Sequence, residues 1–573
     1  MTAEEHFDAV VVGSGFGGAV VALRLAEAGL SVCVLERGKP YPPNSFPRSP
    51  HGLAKNFWDP SEGLYGMFNP WSFRGLEALV SSGLGGGSLI YANVLIRKDE
   101  DWFVENDHEV GGLRPWPVTR ADLDPHYDEV ERMLDAQRYP LENAPFDATP
   151  KTIAFREAAT SLGLDHELPK LAVSFRGPGE EPGVGRPIHE RPDRPNLHGQ
   201  PRLTCRLTGE CDFGCNYGSK NSLDYNYLTE AHHAGADIRT LSEVRSFAPR
   251  AEAGYTIRYV EHHPEWAAEG APPPAPVPRT LTARRLVLAA GTLGTTYLLL
   301  RNRSALPGLS SALGTRFSGN GDLLTFATRC TTVAGGKRRP RRIDPGRGPV
   351  ITSRVRVPDA LDGGGATGRG FYLEDAGYPE IVNWLVETFD TPGRLWRFRS
   401  TLRRLVREYL QRDPDSDLAG EVSGFLGAAV LSDTTLPLLA MGRDIPDGRM
   451  RLRGRHGRLD VDWTKETSEA FFARIRDTAS DLAQALGGGL ADNPLWHLGR
   501  VITVHPLGGC PMADTERDGV VNSFGEVYGH PDLVVADGSV MPGPVGPNPS
   551  LTIAALAERF AQQMVEQGTS GGA

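Results

Sequence analysis

The sequence predicts an α/β protein built around a Rossmann-like nucleotide-binding unit. Three observations carry that prediction. A Val-rich run near the N-terminus ends in a glycine-rich turn. A second glycine-rich turn recurs at residues 83–87. Two later apolar runs, Arg285–Thr295 and Asp532–Ser539, reach glycine, the first entering a helix directly and the second ahead of a helix over Leu551–Glu566. Each glycine cluster lets backbone approach a flat or anionic group closely.

In chain order, Phe7–Val12 is a short apolar run bounded by glycine, which reads as a buried parallel strand. Gly13-Ser14-Gly15-Phe16-Gly17-Gly18 follows. A helical pattern runs from Ala19 to Ala28 and stops at Gly29, and Ser31–Glu36 is a second strand. This is a complete βαβ unit with G-x-G-x-x-G at its first turn. Gly13 permits the tight turn, Gly15 admits a pyrophosphate, and Gly18 lets the helix lie close to the strand. The helix start offers free N–H groups and a positive dipole end to phosphates. Glu36 is placed for a ribose diol and repels a 2′-phosphate. The motif alone does not separate NAD from FAD.

Gly83–Arg97 carries three consecutive glycines before Ser88 and reads as a backbone cradle for a flat ring or a diphosphate. Arg285–Thr295 reads as a strand entering a glycine turn, with a helix from about Thr296. Asp532–Ser539 reads as a strand ending in Asp537-Gly538. Pro549 and Ser550 are start signals for a helix over Leu551–Glu566.

A net charge of −10 over 573 residues argues against nucleic acid as a partner. Cys205, Cys211 and Cys215 lack a fourth nearby ligand and match no zinc or iron–sulfur spacing, so no metal is expected. No apolar run approaches the roughly 18 residues of a membrane span; the longest candidate lies near Phe425–Leu431. The first strand begins by Phe7, which leaves no room for an export peptide, so the expectation is a soluble, cytoplasmic protein. Arg176–Arg202 and the basic stretch Lys337–Arg347 read as surface loops, and Pro264–Pro278 as a proline-rich insertion between two strands. Arg394–Gln411 has helical apolar spacing with interleaved arginines. It is expected to pack on the protein, with transient membrane-surface contact as the alternative.

Later motifs add His505-Pro-Leu-Gly-Gly-Cys510, Asp518-Gly519, and the run from Asp537 through Pro547-Asn548-Pro549 to Ser550. Taken with the earlier stretches, they resemble the glucose–methanol–choline (GMC) family of FAD-dependent oxidoreductases, and within it the cholesterol oxidase branch. The resemblance implies two lobes. A Rossmann-like FAD-binding lobe would be assembled from discontinuous segments, 1–44, 230–322 and 500–573. An α+β substrate lobe, 45–229 and 323–499, would roof the flavin with an antiparallel sheet. FAD would be held by Gly13, Ser14, Gly15, Phe16, Gly17 and Gly18, and by Glu36 and Arg37. Gly83, Gly85, Gly86, Gly87, Ser88, Tyr91, Asn93 and Val94 would lie against it. Val244, Ala290, Gly291, Asp537, Gly538 and Asn548 would complete its contacts.

Oxidising an alcohol carbon needs a base for the hydroxyl proton and a donor for its oxygen. His505 is the leading base, because a neutral imidazole both accepts and donates. Asn548 offers an amide to the substrate oxygen or a flavin edge. Glu374, in the apolar stretch Gly370–Asp375, resembles the family's proton-moving carboxylate for double-bond isomerisation, and burial would raise its pKa. The expected activity is alcohol oxidation, with hydride passing to flavin N5, on a bulky substrate such as a 3-hydroxysteroid. O2 or another acceptor would then take the electrons, and the chain is expected to be a monomer. A sugar-like or long-chain alcohol is the alternative substrate. A flavin-carrying partner protein without alcohol chemistry is the alternative of another class.

Overall fold

The computed structural model describes residues 5–106, 111–267, 272–379 and 433–570. Arg394–Gln411 and Phe425–Leu431 lie outside the described residues.

The N-terminal βαβ unit forms as the apolar spacing requires: β1 (His6–Val12), α1 (Phe16–Glu27) and β2 (Val32–Leu35). Ala9–Val12 lie in parallel register with Val32–Leu35 on one side and Arg285–Leu288 on the other. These strands are apolar without alternation because both of their faces are buried. The helix starts three residues ahead of the predicted Ala19. The rest of the sheet is β3 (Asp237–Arg239), β4 (Ser242–Pro249), β5 (Tyr255–Glu261), β6 (Val277–Leu288) and β7 (Leu533–Val535).

β6 pairs with β1 along one edge and divides its other edge between two partners. Val277–Ala283 pair antiparallel with β5, and Leu286–Leu288 pair parallel with β7. Its first residues are accordingly exposed and its last are buried. α2 (Gly291–Arg301) follows, beginning five residues before the predicted Thr296. It opens on Gly291, at φ +77°, with no side-chain cap, so the usual start signal is absent. α3 (Ser550–Ser570) packs beside α1. α1 is buried almost all round, and its Arg24 pairs with Glu558 of α3 at 2.7 Å.

A second, antiparallel sheet runs in the order Asp165–Glu167, Arg354–Val357, Phe371–Asp375, Leu436–Gly442, Leu323–Thr328, Gly489–Asp492. Helices Pro150–Ser161 and Glu469–Ala485 share a core with Phe371 and Leu373. Tyr372 instead packs with Trp102 and Met441. Period-two alternation therefore puts Glu374 on the face away from the helices.

The basic stretch differs from the expected loop. Thr331–Ala334 and Lys337–Pro340 form an exposed two-stranded ribbon turning at Gly335-Gly336. The proline-rich insertion does lie between strands, β5 and β6. Among the described residues, no helix is long and apolar enough to cross a membrane.

Candidate active site

The glycine turns converge. A methyl group on Gly13 would lie 2.4 Å from Ala289 O, one on Gly17 would lie 1.5 Å from Ala536 O, and one on Gly86 would lie 2.6 Å from Gly15 Cα. So the β1–α1 turn, the second glycine turn, the start of α2 and the end of β7 pack backbone to backbone. Ser14 knits them: its Oγ accepts from Gly85 N (3.0 Å) and donates to Glu36 (2.7 Å). Glu36 also accepts from the N–H groups of Ser14 and Gly38. Ser88 donates to Gly85 O and accepts from Leu223 N. Asp537 accepts from Ser539 N and from Thr295 Oγ1, which ties β7 to α2. Gly538 lies against Thr292 Oγ1.

What this cradle leaves open fits a dinucleotide carrying a flat ring. Gly15, Gly87 and Gly291 are the exceptions to the tight packing, with nothing within 4 Å of an added methyl group. The α1 start carries no side-chain cap, so its N–H groups remain for phosphates. Asn93 is fully buried, in a left-handed conformation, with both amide atoms unpartnered. Ser539 Oγ, Ser550 Oγ, Asn548 Oδ1 and Glu374 Oε1 are also buried without partners. Orphaned buried groups of this kind call for a ligand, since each costs about 1–3 kcal/mol unpaired. Nearby, Tyr91 meets Phe16 edge to face at 5.4 Å, and Val94 is buried in a strand beside Leu171. Ser242, two residues before Val244, donates its N–H to Glu36 O. Arg37 is held by the Asn69 amide oxygen at 2.7 Å.

Two of the other expected side chains meet at the second sheet. Asn548 Nδ2 donates to Glu374 Oε2 at 3.4 Å. Burial pushes the Glu374 carboxyl up to about 8, against the opposing effect of that hydrogen bond. His505 follows the short strand Val501–Thr503, which pairs with Leu76–Ala78. Its Nδ1 lies 2.8 Å from Asp322 Oδ1.

Three residues that sequence reasoning missed support this end. Asp322 contacts His505. Asn320 donates to Gly546 O (3.3 Å) and Pro547 O (3.1 Å) and accepts from Gly546 N (2.9 Å). Buried Lys98 donates to Pro544 O and Val545 O, both at 2.9 Å, and lies 4.3 Å over the Trp116 ring. Four successive carbonyls of the proline-rich loop before Asn548 are thus satisfied by side chains. The loop needs this, because proline lacks the N–H that would build a ladder. The proline run itself was the available signal that outside donors must exist.

Lys220, at the end of the cysteine-bearing loop, donates to the carbonyls of Leu89, Tyr91 and Cys211. It thereby props the segment after the second glycine turn. Among the described residues, no group of three or more His, Cys, Asp or Glu is placed to hold a metal ion.

The glycine cradle and the polar pair on the antiparallel sheet have the makings of a dinucleotide-dependent oxidoreductase. Residues 446–557 match the family described as GMC oxidoreductase, and residues 8–45 match the FAD binding domain. The cholesterol oxidase of Mycobacterium tuberculosis H37Rv is 31% identical over 98% of this chain and 92% of its own. A long-chain-alcohol oxidase of Arabidopsis thaliana is 24% identical, over 98% of this chain and 67% of its own. The fold is similar to that of pyridoxine 4-oxidase from Mesorbium loti, with a TM-score of 0.55, 17% identity, and 97% and 98% of the two chains covered. The chain belongs to the GMC oxidoreductase family. It is an FAD-dependent enzyme acting on CH–OH groups.

Proposed function

We propose that the protein oxidises a bulky apolar alcohol, such as a 3-hydroxysteroid, to the ketone, with His505, Asn548 and Glu374 as its working side chains. FAD is held by the Gly13–Gly18 turn, Glu36, Arg37, Val244, the 83–94 segment, Ala290-Gly291 and Asp537-Gly538. The FAD-binding lobe comprises 1–44, 230–322 and 500–573, and the substrate lobe 45–229 and 323–499. The observation that carries the reading is the Asn548–Glu374 pair, buried with one oxygen of each unpartnered.

His505 accepts the hydroxyl proton at Nε2. Asn548 has a second amide hydrogen and orients the substrate oxygen. The bound flavin supplies the hydride acceptor at N5. Glu374 is neutral at pH 7, because burial holds its carboxyl up to about 8. It can therefore keep a proton, and as the anion it can take one from a steroid carbon. Double-bond isomerisation is expected to speed up as pH rises toward about 8. The sterol assignment is supported by the 31% identity to a cholesterol oxidase, and the alternative of a long-chain alcohol by the Arabidopsis relative.

Anaerobic mixing of the holoenzyme with sterols, sugars and aliphatic alcohols tests the reading. Sterols are expected to bleach the oxidised-flavin band fastest, and readmitted air reports whether O2 takes the electrons. Equal inertness toward all three classes sinks the proposal. His505→Ala is expected to slow flavin reduction by about 10²–10⁴-fold.

A further inference from the structure

We infer that Asp322 is a positioning residue that locks His505 in the tautomer with Nδ1 protonated and Nε2 free to accept the substrate proton. The inference rests on His505 being the base.

One oxygen of Asp322 is already saturated. Oδ2 accepts from Thr503 Oγ1 (2.9 Å), Val504 N (2.8 Å) and His505 N (3.2 Å). Oδ1 is left facing His505 Nδ1 at 2.8 Å. A carboxylate so engaged is an acceptor only, so the hydrogen between it and the ring belongs to Nδ1. Neutral imidazole has one N–H. Placing it on Nδ1 leaves the Nε2 lone pair open, and among the described residues no hydrogen bond occupies it. The ring is 14% exposed, so Nε2 is reachable while Asp322, at 2%, is sealed from water. The carboxylate also stabilises the imidazolium that forms when Nε2 takes a proton, as in other His–carboxylate pairs.

The placement is rigid. Asp322 ends the loop Ser318-Gly319-Asn320-Gly321-Asp322, which leads into the strand Leu323–Thr328. Ser318 Oγ donates to Asp444, as does Gly319 N (3.1 Å). Ser318 and Leu507 exchange backbone hydrogen bonds on the far side of His505. Asn320 holds the loop before Asn548. One short segment therefore sets both catalytic side chains. Asp322 is the charged group in contact with His505; Asp444 accepts from Ser318 and Gly319 of the same loop, Glu374 on the sheet feels the Asp322 charge, and the Arg500–Glu77 pair flanks the strands Val501–Thr503 and Leu76–Ala78.

The test compares Asp322→Asn, Asp322→Glu and His505→Ala holoenzymes by flavin-reduction rate against pH, with 15N-histidine NMR of the wild-type holoenzyme. His505→Ala identifies the His505 signals. Asp322→Asn is expected to lose about 10–100-fold in rate, and its rise of rate with pH is expected to move to lower pH, because the imidazolium loses its counter-charge. Asp322→Glu is expected to recover part of both. The wild-type spectrum is expected to show protonated Nδ1 and unprotonated Nε2. An Asp322→Asn enzyme with wild-type rate and pH profile overturns the proposal while His505→Ala still loses activity. So does a spectrum with the proton on Nε2, which decides the matter even if Asp322→Asn fails to fold. A His505→Ala enzyme of unchanged rate instead removes the reading of His505 as the base.

Discussion

The two ends of the site are built differently. At the nucleotide end, contact is made by backbone, and the residues that matter are those that lack a side chain. Gly13, Gly17 and Gly86 each sit where a methyl group would strike neighbouring backbone. At the end we propose as catalytic, contact is made by side chains, and each polar group is held by another from a distant segment. His505 leans on Asp322, Asn548 meets Glu374, and the loop between Pro544 and Pro547 hangs from Lys98 and Asn320. The first design makes close approach possible at the expense of any tolerance for added atoms. The second tolerates exchange of one partner, but leaves the other buried and unsatisfied.

Substitutions can break or sharpen this contrast. The largest effect is expected from Gly17→Ala. Its methyl group would overlap Ala536 O, so α1 cannot seat on β7, and the variant is expected to yield little folded, flavin-bearing protein by absorbance and circular dichroism. Lys98→Met should be milder. It leaves two buried carbonyls without their donor, which costs about 1–3 kcal/mol for each in denaturant melts, partly offset by relief of a desolvated cation. Because that loop carries Asn548, flavin reduction by alcohol is expected to slow as well. Wild-type reduction with normal stability would show that the loop needs no outside donor.

Gly15→Ala separates packing from ligand approach. Gly15 lies at φ −70° with nothing near its missing methyl group, so the apoprotein should fold as wild type. Flavin affinity is nevertheless expected to fall about tenfold, read by equilibrium dialysis, because the methyl group enters the space left for the pyrophosphate. Unchanged affinity would move the phosphates elsewhere.

Glu374→Gln is expected to show its effect as a dependence on pH. The folded carboxyl is held up to about 8, against an ordinary 4.5. Between those values the folded state keeps a proton that the unfolded state has lost, so this group's contribution to stability falls as pH rises through that window. Gln has no such proton. The Tm of the variant relative to wild type should therefore be higher near pH 9 than near pH 5. A constant difference would mean that Glu374 is not held protonated.

Much of the nucleotide end was legible because its signals are local. The Val-rich run, the glycine spacing and the helix stop lie within 29 residues of the N-terminus, and β1, α1 and β2 form there. The start of α2 was misplaced because the helix opens at a left-handed Gly291 with no capping side chain to mark it. The basic ribbon read as a loop because its charged residues lack strand alternation. At the proposed catalytic end, motifs pointed to His505, Asn548 and Glu374 but not to the side chains that hold them. A lone Asp after Gly321, or a Lys between Arg97 and Asp99, looks like any solvated charge until the fold buries it.

The sequence by itself determined the βαβ unit, the glycine turns and the identity of the groups that can do chemistry. Those features follow from local sterics and from short-range apolar periodicity. Only the tertiary structure decided that one edge of β6 divides between two partners, that Glu374 faces away from the helices, and that Asp322, Asn320 and Lys98 hold His505 and the loop before Asn548. Those outcomes depend on which distant surfaces meet, and a buried charge or amide acquires its role only from the donors and acceptors that burial brings within reach.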